Sequence, residues 1–289
     1  MLTNKVRLKD DSSNAPEDIF SSAIAVVFPD EICNQHGDQF NNVIYDSTVC
    51  GEIELSLADP KIQNTQLFSH FLWNAAVQLS DLMEAAQGIT EESLWNVQGQ
   101  NVLELGAGTG LAGIIAYLLG AKYTVLTDYP SDEILANIQA NVIRNTVSRI
   151  PSVNRDPSTI IVQGHQWGKF HDSFSLAHQG AFSRVLVCDC LWMPWQHQNL
   201  QASISWFLAT GGLAWIVAGF HTGRKKLKEF FEINSLSRAG LILDQIWEKN
   251  ADGTEREWLV DRGLENITEQ KRWLVIAILR KDTNGSNSI

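Results

Sequence analysis

A doubly wound α/β fold is what this chain predicts, and three observations predict it. Apolar runs of strand length alternate with runs of helical periodicity between residues 102 and 220. A glycine-rich turn, Gly106-Ala107-Gly108-Thr109-Gly110, joins the apolar run Val102–Leu105 to the apolar helical run Leu111–Leu119. Two final apolar runs, Leu241–Trp247 and Trp273–Leu279, have no clear helix between them and so pair antiparallel at one edge. The expectation is a Rossmann-like, seven-stranded, mostly parallel sheet with an antiparallel last strand, helices on both faces and an N-terminal β/α cap. Residues 1–63 form an arm and accessory β element, 64–283 a single domain, and 284–289 a tail.

Each element has its own signal. Residues 1 to 19 are rich in Asp, Ser and Asn and read as a mobile arm, and Ile24–Phe28 is a short apolar run. Asn42–Tyr45 and Glu52–Leu57 alternate around Cys50-Gly51 as a hairpin. Phe68, Phe71, Leu72, Ala75, Leu79, Leu82 and Met83 recur at three- and four-residue spacing, which predicts a helix over Leu67–Ala86 with Trp73 inside it. Val125–Asp128 is the second core strand. Ser131-Asp132-Glu133 after Pro130 starts a helix that runs to about Arg144, with acids in its first turn. Pro151 and Pro157 mark the loop before the third strand, Thr159–Val162. Phe170–Gln179 holds a short helix. Arg184–Cys188 is the fourth strand, and Gln198–Leu208 is a helix closed by Gly211-Gly212. Leu213–Phe220 is the fifth strand. Arg224–Phe231 is a helix that begins with a solvated basic face, Arg224, Lys225, Lys226 and Lys228.

Bulk composition narrows the function. Hydrophobic residues make up 44% and charged residues 19% of 289, enough apolar matter for a real core. A net charge of −11 argues against nucleic acid as the main partner. Cys33, Cys50, Cys188 and Cys190 lack the paired spacing of a zinc site, and Cys188 and Cys190 face opposite ways on one strand, so no metal is expected. Free thiols fit a reducing compartment. The polar start carries no apolar signal core, and no run reaches the roughly 18 apolar residues of a membrane span. The expectation is a cytoplasmic protein, with the nucleus also open to it, and no membrane partner.

The glycine turn carries the chemistry. Glycine adopts backbone angles that other residues resist and lets a ligand approach the main chain. The helix that follows presents free N–H groups and a partial positive charge. Such a turn holds the polar end of a nucleotide-like cofactor at a sheet edge. The dinucleotide fingerprint is G-x-G-x-x-G, whereas here the glycines stand at 106, 108 and 110, and Leu111 takes the last position. Glu104 precedes the first glycine by two residues. Asp128 ends the next strand, 22 residues after Gly106, where a carboxylate can accept both hydroxyls of a ribose. This pattern favours a methionine-type nucleoside cofactor over a nicotinamide dinucleotide.

Further motifs follow in order: Phe71-Leu72-Trp73-Asn74-Ala75, Glu104 to Gly110, Thr127-Asp128-Tyr129-Pro130, Gln166-Trp167-Gly168, and Asp189 with Trp192. Together they resemble methyltransferase family 16, a seven-β-strand family dependent on S-adenosylmethionine. The nearest likeness is to its nicotinamide N-methyltransferase-like fungal branch, which also contains a protein N-terminal and lysine methyltransferase. The resemblance covers about Asn64 to Lys281.

It implies a cofactor site for S-adenosyl-L-methionine. Trp73 lines the methionine end, Gly106, Ala107 and Gly108 pass under the cofactor, and Glu104 steadies the turn or the amino group. Asp128 takes the ribose, Trp167 packs on the adenine, and Cys188 touches the cofactor through its backbone. Asp189 and Trp192 are the implied catalytic pair, the acid orienting an amine and the indole offering a π face to a developing cation. In lysine methyltransferases of this family the aromatic is usually Tyr or Phe; here it is Trp. The aromatic-rich stretch Leu191–His197 suits a closed pocket and so a small-molecule amine or N-heterocycle. A protein lysine or N-terminal amine is the alternative, and a protein that binds the cofactor without transferring methyl is a further one. His197 and His221 read as surface histidines, and as bases only if the acceptor is an oxygen.

Overall fold

The computed structural model describes residues 1–9, 35–37, 41–58, 71–89, 93–146 and 156–283. A short 3-10 turn, Leu2–Lys5, leads into β1 (Val6–Leu8). β2 (Gln35–His36), β3 (Val43–Ser47) and β4 (Gly51–Leu55) follow. β3 and β4 form the expected hairpin, and β1 pairs with β3 on its other side. The first nine residues are therefore not a free arm: the Leu2 N–H donates to the Ala251 carbonyl at 2.8 Å, and Leu2 is buried in the core. Ile24–Phe28 lies outside the described residues.

β5 (Leu72–Trp73) precedes α1 (Asn74–Ala85). The helix expected from Leu67 thus starts at Asn74, and Phe68 lies outside the described residues. Trp73 is extended, with φ −96° and ψ 146°, and pairs with Gln35 of β2. Strand pairing overrides the apolar spacing at Phe71 and Leu72.

From there the chain alternates: β6 (Asn101–Leu105), α2 (Leu111–Leu118), β7 (Tyr123–Asp128), α3 (Asp132–Asn145), β8 (Ile160–Gly164), α4 (Ser173–Ala177), β9 (Phe182–Cys188), α5 (His197–Phe207) and β10 (Leu208–Gly219). α6 (Arg224–Leu227), α7 (Ile233–Arg238), β11 (Leu241–Asn250), β12 (Glu255–Glu257), α8 (Ile267–Lys271) and β13 (Trp273–Lys281) complete it. One sheet runs β12-β11-β13-β10-β9-β6-β7-β8. The seven expected strands are all present, and the three-residue β12 adds an eighth at the edge. β6 to β10 pair parallel, and β13 lies antiparallel between β10 and β11.

Two layers of core cover the sheet. Val102, Leu126, Leu186 and Trp215 face α1, α2, α3 and the small N-terminal sheet. Their neighbours Leu103, Val125, Val185, Val187 and Ile216 face α4, α5 and α7. The period-two alternation of buried strands produces both layers at once. Gly211-Gly212 does not close a helix. α5 ends at Phe207, and the two glycines sit inside β10, where its pairing with β9 shifts register between Leu208 and Leu213. Arg224 is not on a solvated face either. It is buried, paired with Glu248 and Glu265, and stacked 4.4 Å from the centre of the Phe220 ring.

Candidate active site

The parallel strands end together, and the implied site residues stand at that end. β6 stops at Leu105, and Gly106 and Gly108 turn the chain with φ of 70° and 56°. A side chain at 106 would meet Cys190 Sγ at 2.6 Å and Trp167 Cζ2 at 3.0 Å; one at 108 would project into open space. Position 106 is therefore closed to any side chain, and 108 leaves bare backbone toward the cavity. Glu104 points the other way, under α2, because the strand alternation sets it on the helix face. Its Oε2 accepts the Gly113 N–H at 2.9 Å, and Oε1 has no hydrogen-bond partner among the described residues. Burial, opposed by that N–H, pushes its pKa up to about 8. Glu104 and Ala107 support the turn from behind and do not border the cavity; the Ala107 N–H is spent on the Thr127 carbonyl.

Asp128 ends β7. Its Oδ2 accepts the Gly108 N–H at 2.8 Å and its Oδ1 the Tyr129 N–H at 2.7 Å. Burial raises its pKa, and the two N–H groups oppose that rise. Each oxygen keeps a lone pair for a ligand. Trp167 comes from the turn after β8. Ser203 Oγ braces that turn, accepting the Gly168 N–H at 2.9 Å and lying 3.0 Å from His165 Nε2. Burial lowers the His165 pKa to about 4, so the imidazole stays neutral. Trp73 reaches the cavity from β5, and the next residue, Asn74, is held by His36 at 2.6 Å.

Asp189 follows Cys188, the last residue of β9. Its φ of 57° makes it the only non-glycine in the left-handed region among the described residues. That conformation costs on the order of 1 kcal/mol or more for an L-residue, and three bonds offset it. The Asp189 N–H donates to Val217 O at 2.8 Å. Its Oδ1 accepts from Gly219 N–H at 2.8 Å and from His221 Nε2 at 2.9 Å. Oδ2 takes no hydrogen bond from the described residues. Cys188 packs in the core layer under α1 and α2 and Cys190 in the opposite layer, so the two thiols face apart as expected; both residues border the cavity at the strand end, their thiol pKa values raised by burial. Trp192 follows, edge-on to Trp195 at 6.4 Å.

These strand ends enclose a cavity of about 440 Å³, within the range of small-molecule sites. Trp73, Gly106, Gly108, Asp128, Trp167, Cys188, Asp189 and Trp192 all border it. Cys190, Met193 and Trp195 border it as well. Four of the ten tryptophans in the chain thus gather at one mouth. The spacing of Trp192, Met193 and Trp195 was a signal for this; nothing local marked Cys190. The two histidines diverge. His197 is buried away from the mouth, bonded to the Leu191 carbonyl at 2.9 Å, whereas His221 joins Asp189. Among the described residues, no group of three or more His, Cys, Asp or Glu side chains is placed to hold a metal ion. Bare glycine backbone, one carboxylate beside it and flat aromatic walls fit a nucleoside with a free diol.

Known proteins are similar to this chain. A family model described as lysine methyltransferase matches residues 56–236. The protein N-terminal and lysine N-methyltransferase EFM7 of Candida glabrata is 33% identical over 162 residues, covering 55% of this chain and 58% of that protein. EFM7 of Yarrowia lipolytica is 31% identical over 197 residues, covering 63% of this chain and 68% of that protein. The chain therefore spans less than two-thirds of the Candida relative and slightly more of the Yarrowia one. Among solved structures, a TehB-like SAM-dependent methyltransferase from Corynebacterium glutamicum superposes with a TM-score of 0.47 at 15% identity, over 70% of this chain and 86% of that one. The family match spans most strands of the sheet and every residue that borders the cavity, so the chain belongs to the lysine methyltransferase family, whose cofactor is S-adenosylmethionine.

Proposed function

We propose that the protein transfers a methyl group from S-adenosylmethionine to an amine nitrogen on a protein, either an N-terminal α-amine or a lysine. One observation carries the reading: Asp189 and Trp192 border the same cavity as Gly106, Gly108 and Asp128. An acceptor group and a cofactor-shaped cradle thus share one space. The relatives named as protein N-terminal and lysine methyltransferases favour a protein acceptor over the small molecule expected from the sequence. So does the lip of the cavity, where Trp195 is 71% exposed and offers a flat apolar face to an approaching chain.

S-adenosylmethionine, when bound, supplies an electrophilic methyl on a positively charged sulfur. Gly106 and Gly108 present backbone to it, Asp128 holds the ribose end, and Trp167 and Trp73 pack its flat and methionine ends. The chain's remaining task is to deliver an uncharged nitrogen in line with that methyl. An α-amine titrates near 7.7–8.0 and a lysine near 10.4 in water. Withdrawal from water beside Trp192 and Met193 lowers both. Asp189 Oδ2, which takes no hydrogen bond from the described residues, accepts an N–H of the amine and aims its lone pair. Trp192 offers its ring face as positive charge develops on the nitrogen. Cytoplasmic or nuclear proteins are the proposed acceptors, in keeping with the free thiols.

The test is a heterologous lysate supplied with the protein and methyl-labelled cofactor, then split into protein and small-molecule fractions. Label on an α-amine or lysine in the protein fraction, found by peptide mass spectrometry, is expected. Label confined to the small-molecule fraction would sink the protein reading.

A further inference from the structure

His221 reads from the sequence as a histidine just past the end of a strand, a base only if the acceptor is an oxygen, and nothing in its local pattern gives it a role in methylating an amine. The fold gives it one. The chain leaves β10 at Gly219 and doubles back, so that the imidazole lies over the strand end it has just left. A Cβ at 219 would stand 2.7 Å from His221 Nε2. Only a residue without a side chain at 219 admits the ring. From there Nε2 donates to Asp189 Oδ1 at 2.9 Å, alongside the Gly219 N–H at 2.8 Å. The ring also meets Trp73 edge-on, 4.9 Å between centroids at 69°. His221 does not itself border the cavity. It stands between two residues that do, one on each wall.

We propose that His221 is a positioning residue for methyl transfer: it fills one oxygen of Asp189 so that the other alone faces the amine. This rests on the amine-methyltransferase reading given above. Asp189 is the residue in most need of such a hold, since its left-handed backbone is strained and its side chain is almost wholly buried. Without a donor at Oδ1 the carboxylate can rotate about its last bond and offer the amine either oxygen. Two N–H donors on one oxygen remove that freedom. The electrostatics agree. Burial alone would lower the His221 pKa, but the Asp189 carboxylate outweighs it, and the net shift is upward. Lys271 of α8 opposes the rise, and Trp73 and the Gly219 backbone bring no charge to the ring.

The experiment compares His221→Ala, His221→Gln, Asp189→Asn and the His221→Ala/Asp189→Asn double variant on whichever labelled protein acceptor the wild type modifies. Glutamine keeps an N–H near the place of Nε2. Alanine is expected to lower kcat by about 10- to 100-fold, the size of a small misplacement of a reacting group, with cofactor affinity by calorimetry within about twofold of wild type. Glutamine is expected to restore most of that loss. The double variant is expected to fall no lower than Asp189→Asn, because His221 acts through Asp189. An unchanged kcat in the alanine variant, a glutamine variant as slow as alanine, or losses that multiply in the double variant would each overturn the proposal. A wild type that labels no amine would instead sink the function proposed above. In that event NMR titration of His221 decides the pairing on its own. Its pKa is expected to fall in Asp189→Asn, and an unmoved titration would show that the two side chains are not coupled.

Discussion

Asn145 of α3 and Glu54 of β4 exchange two hydrogen bonds. The Glu54 N–H donates to Asn145 Oδ1 at 3.0 Å, and Asn145 Nδ2 donates to the Glu54 carbonyl at 2.8 Å. One turn earlier Asn141 treats Ser56 the same way, at 2.8 and 2.9 Å, and its Nδ2 also reaches the Thr109 carbonyl at 3.0 Å. Two side-chain amides four residues apart on a helix thus stand where another strand would pair. They satisfy the open edge of the N-terminal sheet and tie it to the glycine turn.

Asn141→Ala is therefore expected to destabilise the protein by about 1–3 kcal/mol, the cost of leaving buried backbone groups unpaired. Urea unfolding measures it. A midpoint equal to wild type would mean that water replaces the amide without penalty.

Asp128→Asn keeps the shape of the side chain and removes its charge. S-adenosylmethionine affinity is expected to fall about 10- to 100-fold, the worth of one or two hydrogen bonds to a charged acceptor. Calorimetric titration reads this directly. Equal affinity in the variant would remove Asp128 from the cofactor site.

Gly106→Ala is expected to abolish measurable cofactor binding. Its Cβ would stand 2.6 Å from Cys190 Sγ and 3.0 Å from Trp167, at a φ of 70° that alanine resists. Gly108→Ala meets no atom within 4 Å of the protein, so beyond the backbone strain of its φ of 56°, which both positions share, it costs less stability than Gly106→Ala and acts mainly on the ligand. Thermal unfolding with and without cofactor separates the two. Similar losses of stability in both variants would contradict the difference in surroundings.

Glu104 sets a pH dependence. Below about pH 4.5 it is protonated in both the folded and the unfolded chain, and its burial carries no charge penalty. Between 4.5 and about 8 the unfolded chain releases the proton while the folded one retains it, so stability falls as pH rises. Above about 8 the loss is complete. Glu104→Gln lacks this slope, so its melting temperature should gain on wild type across that window. A difference that stays constant from about pH 5 to about pH 9 would show that the carboxyl titrates normally in the fold.

Much of the site was legible because it is local. Glu104, the glycines, Asp128 and the Asp189-to-Trp192 spacing each lie within one strand–turn–helix unit, where period and composition speak directly. What was not legible depends on pairing at a distance. Trp73 looks helical by spacing, yet it is extended because Gln35 lies beside it. Arg224 looks like the start of a solvated basic face until Glu248 of β11 and Glu265 are brought to it. Cys190 borders the cavity from the turn after β9, and nothing local marks it. His221 has no role until the chain folds back across Gly219.

The place of β13 has a consequence for how the chain is made. β10 and β11 leave the ribosome first, and neither pairs with the other; each pairs with β13. Until Trp273 and the residues after it have been synthesised, the run Ala214 to Gly219 shows an unpaired apolar edge to every neighbour in reach. The very start of the chain waits too, since Leu2 docks on Ala251, within the same late-closing corner. A nascent chain halted before residue 273 is thus a sticky, unfinished sheet, the kind of surface that chaperones shield and that aggregates grow from.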